Sequence, residues 1–208
     1  MSDGARLVPG DARGGRSPTV ETVAVVLLVF ALQIPLGLVG LTGLLVLDPA
    51  VFLKPWALLT ATYAHAGPGH LLSNLLPLLL FGFAVERVTT RFRYHLFFVL
   101  TGAVAALAEV TLGSVLAFSP RGVLGASGAV FALMGYALAG NAVADWLSNV
   151  VGVFTDVEWA PTALLVGVAI AVAVALSGPG TALVAHFTGF LVGLLAGRLR
   201  LLHVSRTA

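Results

Sequence analysis

Residues 123–144 read VLGASGAVFALMGYALAGNAVA, a stretch in which no side chain carries a charge. A helix that crosses a bilayer needs about 20 consecutive apolar residues, so this stretch predicts a membrane-spanning helix. Near its start lies the segment Gly125-Ala126-Ser127-Gly128. A serine in a membrane helix usually bonds to its own backbone, so Ser127 taken alone indicates little. The role of Ser127 therefore depends on which residues elsewhere in the chain lie near it.

The composition of the whole chain is that of a membrane protein. Of its 208 residues, 59% are hydrophobic and 10% are charged, whereas soluble domains carry about 25% charged residues. The apolar runs predict an all-α membrane protein with a bundle of six transmembrane helices. These helices are expected at residues 22–47, 70–85, 94–115, 127–144, 161–176 and 181–197. Residues 1–20, rich in Gly, Arg, Ser and Pro, predict a flexible cytoplasmic tail, and residues 21–208 the membrane domain.

The positive charges predict how this bundle is oriented in the membrane. Of the 11 Lys and Arg residues, only Lys54 and Arg121 fall on one side of the predicted bundle. The others fall on the opposite side: Arg6, Arg13, Arg16, Arg87, Arg91, Arg93, Arg198, Arg200 and Arg206. Since cytoplasmic loops are enriched in Lys and Arg, we expect both termini in the cytoplasm. We expect a multi-pass protein of a prokaryotic plasma membrane, although the predicted cytoplasmic loop 145–159 lacks Lys and Arg.

His186 is a second polar residue inside a predicted membrane helix. A histidine in such a position is a functional-site hypothesis by default. The predicted second, fourth and sixth helices begin on the same side of the membrane, which puts His70, Asn74, Ser127 and His186 at a similar depth. A serine needs an adjacent base to act as a nucleophile, and a neutral imidazole can accept its proton. Ser127 and His186 are therefore the candidate catalytic pair.

Small residues recur along the fourth and sixth predicted helices. They are Gly128, Ala132, Gly135 and Ala139 on the fourth, and Ala185, Gly189, Gly193 and Gly197 on the sixth. Such stripes let membrane helices pack backbone against backbone. Since Gly128 follows Ser127 and Ala185 precedes His186, close packing is expected to bring the pair within hydrogen-bond reach. The stripes by themselves indicate helix packing and not catalysis.

His70 and Asn74 are four residues apart, on one face of the predicted second helix. Both side chains carry N–H groups that can stabilise an oxyanion. Either can instead form a structural hydrogen bond between helices, and the sequence favours His70 over Asn74 for that structural role. No Asp or Glu is obviously placed to orient His186, which favours a Ser–His dyad over a triad. A metal site formed by the histidines is a weaker alternative because the His-Glu-x-x-His motif is missing. We expect no metal and no cofactor.

Taken together, these motifs resemble the rhomboid family of intramembrane serine proteases. Gly125 to Gly128 is similar to the family's Gly-x-Ser-Gly motif at the start of the fourth span. Ala185-His186, followed by Gly189 and Gly193, is similar to its sixth-span motif. His65, His70 and Asn74 are similar to its second-span pattern. The resemblance covers residues 56–197.

The resemblance implies a six-helix rhomboid-like bundle with Ser127 as nucleophile, His186 as general base, and His70 and Asn74 at the oxyanion site. It implies an endopeptidase that cleaves the transmembrane segments of single-span proteins within the lipid bilayer and does not bind nucleic acid. Two positions depart from the pattern. Ala57 stands where many bacterial members have arginine, and Phe131 where some have tyrosine.

Two other functions remain open from the sequence, and no oligomeric state is predicted. The first is a catalytically silent rhomboid-like protein that binds membrane helices. The intact Ser127 and His186 argue against it. The second is a small transporter, which the lack of internal repeats argues against.

Overall fold

A computed structural model describes residues 15–116, 122–139, 160–177 and 181–204. The regular elements among these residues are helices, and the described residues contain no strand apart from an isolated antiparallel bridge between Leu47 and Val123. We label the longer helices α1 (Pro18–Leu38), α2 (Pro68–Glu86), α3 (Arg91–Ala108), α4 (Ser127–Ala139), α5 (Ala160–Ala175) and α6 (Leu183–Arg198). Beyond α3 the helix continues through a π-helical turn, Glu109–Gly113, to Leu116. The predicted all-α fold is confirmed.

Several of these helices can cross a membrane by their length and composition. They are Pro18–Leu38, Pro68–Glu86 and Arg91–Leu116, and the shorter apolar helices include Ser127–Ala139, Val166–Ala175 and Leu183–Arg198. Large apolar side chains such as Leu28 and Leu80 are exposed on these helices, as expected for a surface covered by lipid. The number of six spans stays a prediction, because residues 140–159 lie outside the described part of the chain.

The first helix differs from its predicted bounds at both ends. It begins at Pro18, because the Ser17 hydroxyl accepts a hydrogen bond from the Val20 N–H and proline suits the first helical position. It ends at Leu38 rather than Leu47, close to Gly40, whose φ of 74° is left-handed. Residues 1–14 of the predicted tail lie outside the described residues.

Helix α4 lies at the centre of the bundle and contacts α2, α3 and α6. Its residues from Gly128 to Tyr136 are all buried. The closest approach is to α6, where a Cβ on Gly189 would overlap the Gly128 carbonyl and a Cβ on Gly193 would overlap that of Ala132. The expected backbone-to-backbone packing of the small-residue stripes is thus confirmed. It fixes the first turn of α4 against the first turns of α6.

The opposite end of the bundle is held by Glu86, at the end of α2. Its carboxylate accepts hydrogen bonds from the Ser17 hydroxyl at 2.6 Å and from the Thr19 N–H at 3.1 Å. These bonds tie the start of α1 to the end of α2. Glu86 therefore has the structural role that its position at a helix end indicates.

Candidate active site

Ser127 and His186 lie on facing turns of two packed helices. Ser127 is the first residue of α4, and His186 is in the first turn of α6. The positions beside them meet, since a Cβ on Gly128 would lie 3.8 Å from the Ala185 carbonyl oxygen. One turn beyond Ser127, the Phe131 ring stacks on the buried His186 imidazole, with centroids 4.3 Å apart and planes 9° from parallel. Phe131, which stands where some family members have tyrosine, thus holds the His186 imidazole by stacking.

The hydrogen bond of the His186 ring goes to a residue that the sequence did not single out. Among the described residues, the serine bonded to His186 is Ser177, whose Oγ lies 2.6 Å from Nδ1. The expected Ser127–His186 hydrogen bond is not formed in this structure. A serine beside Gly and Pro is typical of a turn, so nothing in the local sequence pattern distinguishes Ser177. Ser177 occupies Nδ1 of His186, so the other ring nitrogen, Nε2, is the one left for a different partner.

The segment that leads into Ser127 is fixed by hydrogen bonds that its backbone N–H groups donate. The Gly125 N–H donates to the Ala61 carbonyl at 2.8 Å, and the Ala126 N–H points to Nε2 of His65 at 3.4 Å. Gly125 has a φ of 131°, which disfavours other residues, and a Cβ there would lie 2.7 Å from Cε1 of His70. A side chain at position 125 would therefore push the His70 ring away from the segment.

His65 bonds to this segment and His70 lies beside it, and the hydrogen bonds assign the ring nitrogens of both. Nδ1 of His65 donates to the Tyr63 carbonyl at 3.1 Å, which leaves Nε2 to accept from Ala126. Burial lowers the pKa of the His65 imidazole, in the loop before α2, to about 4, which keeps the ring neutral. Nδ1 of His70 accepts from the Ala66 N–H at 3.3 Å, so a neutral His70 carries its proton on Nε2. That Nε2 would lie 2.9 Å from a Cβ on Gly125.

The Asn74 side chain is buried and donates to the His70 carbonyl at 2.8 Å, within α2. This bond lies within one helix and is therefore not the bond between helices that was the structural alternative for Asn74. The oxyanion role of Asn74 stays a prediction.

Glu109 is a further buried polar residue beside the candidate pair. Its carboxylate accepts a hydrogen bond from the Ala185 N–H at 3.0 Å and so caps the start of α6, where Ala182 supplies no side-chain cap. A Cβ on Gly113 would lie 2.7 Å from Oε1 of Glu109, so the glycine leaves room for the carboxylate. In the sequence, Glu109 lies near the end of the predicted helix 94–115, where an acidic residue most simply marks a helix end. The helix does change to a π-helical turn at Glu109, but the Glu109 carboxylate caps the start of α6. No group of three metal-ligating side chains occurs within the described residues.

Comparison with known proteins identifies the family. A Rhomboid domain model matches residues 53–203, which include His70, Ser127, Ser177 and His186. The chain belongs to the rhomboid family. It is an integral membrane protein, in agreement with its apolar helices.

Two plant rhomboid relatives are similar to this chain over about two thirds of its length. RHOMBOID-like protein 4 of Arabidopsis thaliana is 34% identical over 146 residues, which cover 68% of this chain and 33% of the relative. RHOMBOID-like protein 1 of Arabidopsis thaliana is 32% identical over 143 residues, with the same shares covered. The chain therefore matches about a third of the length of these curated relatives.

The candidate site contains a serine, an imidazole whose Nδ1 is hydrogen-bonded, and a second imidazole that carries an N–H on Nε2. A nucleophile, a base and an N–H donor are the groups that acyl transfer with oxyanion stabilisation requires. Motif spacing in the sequence singled out Ser127, His186 and His70, and their catalytic roles stay predictions. It missed Ser177, and the signal available for Glu109 was a single acidic residue inside a predicted apolar span.

Proposed function

We propose that this rhomboid protein is an intramembrane serine endopeptidase in which Ser127 is the nucleophile and His186 the general base. The observation that carries the proposal is the contact of α4 with α6. There Gly128 meets Gly189, and Phe131 stacks on the His186 ring. This contact sets a serine hydroxyl and a buried imidazole on facing helix turns.

The proposed reaction is acyl transfer in two steps. Ser127 Oγ attacks the scissile carbonyl while Nε2 of His186 takes its proton, and the same proton then passes to the leaving amine. Water, deprotonated by His186, next attacks the acyl-enzyme, and Ser127 regains its proton as the second product leaves. The Ser177 bond supports this assignment because it occupies only Nδ1 of His186.

His70 is the stronger candidate for the oxyanion donor. Its Nδ1 accepts from Ala66, so Nε2–H is the donor on the side of Gly125. The backbone N–H groups at the start of α4 are further candidates, because the first N–H groups of a helix have no acceptor within it. Asn74 supports the site by bonding the His70 carbonyl. Loss of an oxyanion donor typically costs about 2.7–4 kcal/mol in the transition state.

The proposed substrates are single-span membrane proteins that reach the site from the bilayer. A regular helix hides its carbonyl groups in backbone hydrogen bonds, so residues that break the helix near the scissile bond should favour cleavage. We propose that the site faces the outer half of the membrane and that both termini are cytoplasmic, in accordance with the Lys and Arg distribution.

The decisive experiment measures cleavage of a single-span substrate by purified protein reconstituted in liposomes. We expect Ser127→Ala and His186→Ala each to abolish cleavage, and the double variant to be no worse than either, because the two residues act as a unit. The matched control is Thr111→Val, since the Thr111 hydroxyl is exposed and bonds back to the Leu107 and Ala108 carbonyls of its own helix. Cleavage by Ser127→Ala at the wild-type rate would refute the assignment.

The same experiment separates the alternative functions. A catalytically silent rhomboid protein would bind the substrate helix equally well with serine or alanine at position 127 and would release no product. A small transporter would move solute across the liposome membrane in both forms. Cleavage that requires Ser127 contradicts both.

A further inference from the structure

Ser177 is the polar group in direct contact with the proposed base that the two-residue scheme leaves without a role. It lies just after α5, where its N–H bonds to the Val174 carbonyl at 3.3 Å. Its half-buried hydroxyl reaches across to α6 and lies 2.6 Å from Nδ1 of His186. That distance is at the short end of the range for a hydrogen bond, so the two groups are hydrogen-bonded.

Stacking alone does not determine which ring nitrogen of His186 faces Ser127. Phe131 fixes the plane of the imidazole, with 9° between the two rings. A half-turn of the imidazole about its Cβ–Cγ bond keeps that plane and exchanges the positions of nitrogen and carbon. A hydrogen bond at Nδ1 distinguishes the two orientations. Ser177 supplies that bond and Phe131 does not.

We propose that Ser177 is a positioning residue whose hydroxyl accepts a hydrogen bond from Nδ1–H of His186, so that the unprotonated Nε2 faces Ser127. The proposal deepens the proposed protease function and rests on it. Ser177 touches neither substrate nor reacting atoms and acts through His186. It takes the place that an aspartate fills in a Ser-His-Asp triad, where the third residue fixes the tautomer of the histidine.

The first test compares Ser177→Ala with Ser177→Thr in the liposome cleavage assay. A hydrogen bond between neutral groups is worth a modest amount, so we expect Ser177→Ala to lower kcat by about 2- to 10-fold. KM and the melting temperature should stay at the wild-type values, and Ser177→Thr should restore kcat because it keeps the hydroxyl. Thr111→Val is again the control and should leave kcat unchanged. A wild-type kcat in Ser177→Ala overturns the proposal. So does a loss of rate in both variants that is proportional to a loss of melting temperature.

The second test does not depend on activity. The ¹⁵N chemical shifts of the His186 ring, assigned by comparison with His186→Ala, report which nitrogen is protonated. We expect a proton on Nδ1 in the wild type and in Ser127→Ala, and a mixture of tautomers in Ser177→Ala. A proton on Nε2 in the wild type overturns the proposal, because Ser177 would then be the donor.

Labelling with a fluorophosphonate, which reacts with activated serines, separates failure of this inference from failure of the proposed function. Labelling that disappears in Ser127→Ala and persists, more slowly, in Ser177→Ala supports both. Labelling that disappears in Ser177→Ala and persists in Ser127→Ala makes Ser177 the nucleophile and overturns both. Unchanged labelling in Ser177→Ala together with an inactive Ser127→Ala overturns the positioning role alone.

Discussion

The contact between α4 and α6 can be tested by adding one methyl group to it. A Cβ on Gly193 would overlap the carbonyl oxygen of Ala132 and lie 2.8 Å from its carbonyl carbon and Cα. Carbon atoms in contact normally lie about 3.5–4.0 Å apart, so the two backbones must separate by roughly 1 Å. Such overpacking typically costs about 1–3 kcal/mol. We therefore expect Gly193→Ala to lower the free energy of unfolding by this amount.

The matched control is Gly167→Ala on α5, where nothing lies within 4 Å of the added Cβ. There the substitution should stabilise by about 0.5–1 kcal/mol, because alanine is the better helix former. Thermal unfolding of the purified protein in detergent measures both variants. Since 1 kcal/mol shifts the melting temperature of a chain of this size by about 2–4 °C, Gly193→Ala should melt roughly 2–12 °C lower. A melting temperature for Gly193→Ala at or above the wild-type value would refute the reasoning.

The identity of the contacted atoms sharpens the test. Gly193 meets backbone atoms of Ala132, so the second substitution Ala132→Gly should not rescue Gly193→Ala. A Cβ on Gly128 meets the side chain of Ala105, at 2.5 Å from its Cβ. Ala105→Gly should therefore restore much of the stability that Gly128→Ala loses. Rescue in the first pair, or its absence in the second, would contradict the packing described here.

Three further predictions concern other parts of the molecule. Glu109→Ala should lower the free energy of unfolding by about 1–3 kcal/mol, because the buried Ala185 N–H loses its acceptor. Glu109→Gln keeps an acceptor oxygen and should lose less stability. Equal melting temperatures for the two variants would contradict this. The Lys54 ammonium holds the pKa of Asp48 below its ordinary value of 3.8, so Asp48 stabilises the fold above that value and loses this effect as the pH falls; the difference in melting temperature between wild type and Asp48→Asn should accordingly vanish in acid. A cysteine at position 52 of this cysteine-free chain should react with an impermeant reagent outside the cell, and one at position 206 should not.

The parts of the fold that the sequence predicted are those encoded by local patterns. Charge-free runs identify membrane helices, and a glycine every fourth residue from Gly189 to Gly197 marks the face on which α6 meets α4. The sequence predicted that α1 ends at Leu47 and not at Leu38, because residues 39–47 are apolar as well. There Gly40 and the bridge from Leu47 to Val123 turn the chain, and hydrophobicity does not report either feature.

The residues that the sequence missed act through distant partners. Ser177 lies in a turn, and its role depends on how the ring of His186 is oriented after α5 and α6 have packed. Glu109 bonds to a backbone N–H on α6, and a backbone group leaves no motif in the sequence. His65 lay within a recognised motif, but its contact with the Ala126 N–H depends on the path of the segment before α4. In each case the missing information is tertiary geometry.

The proposed use of Ser177 rather than a carboxylate fits the surroundings of His186. The imidazole is buried beneath Phe131 among apolar helices, where an unpaired charge is much more costly than a hydrogen-bonded hydroxyl. A carboxylate at Nδ1 would hold the tautomer more firmly but would itself have to be removed from water. A hydroxyl orients the ring at a smaller cost and stabilises the imidazolium less. On this reasoning, Ser177→Asp should fold less stably than the wild type even if it fixes the same tautomer.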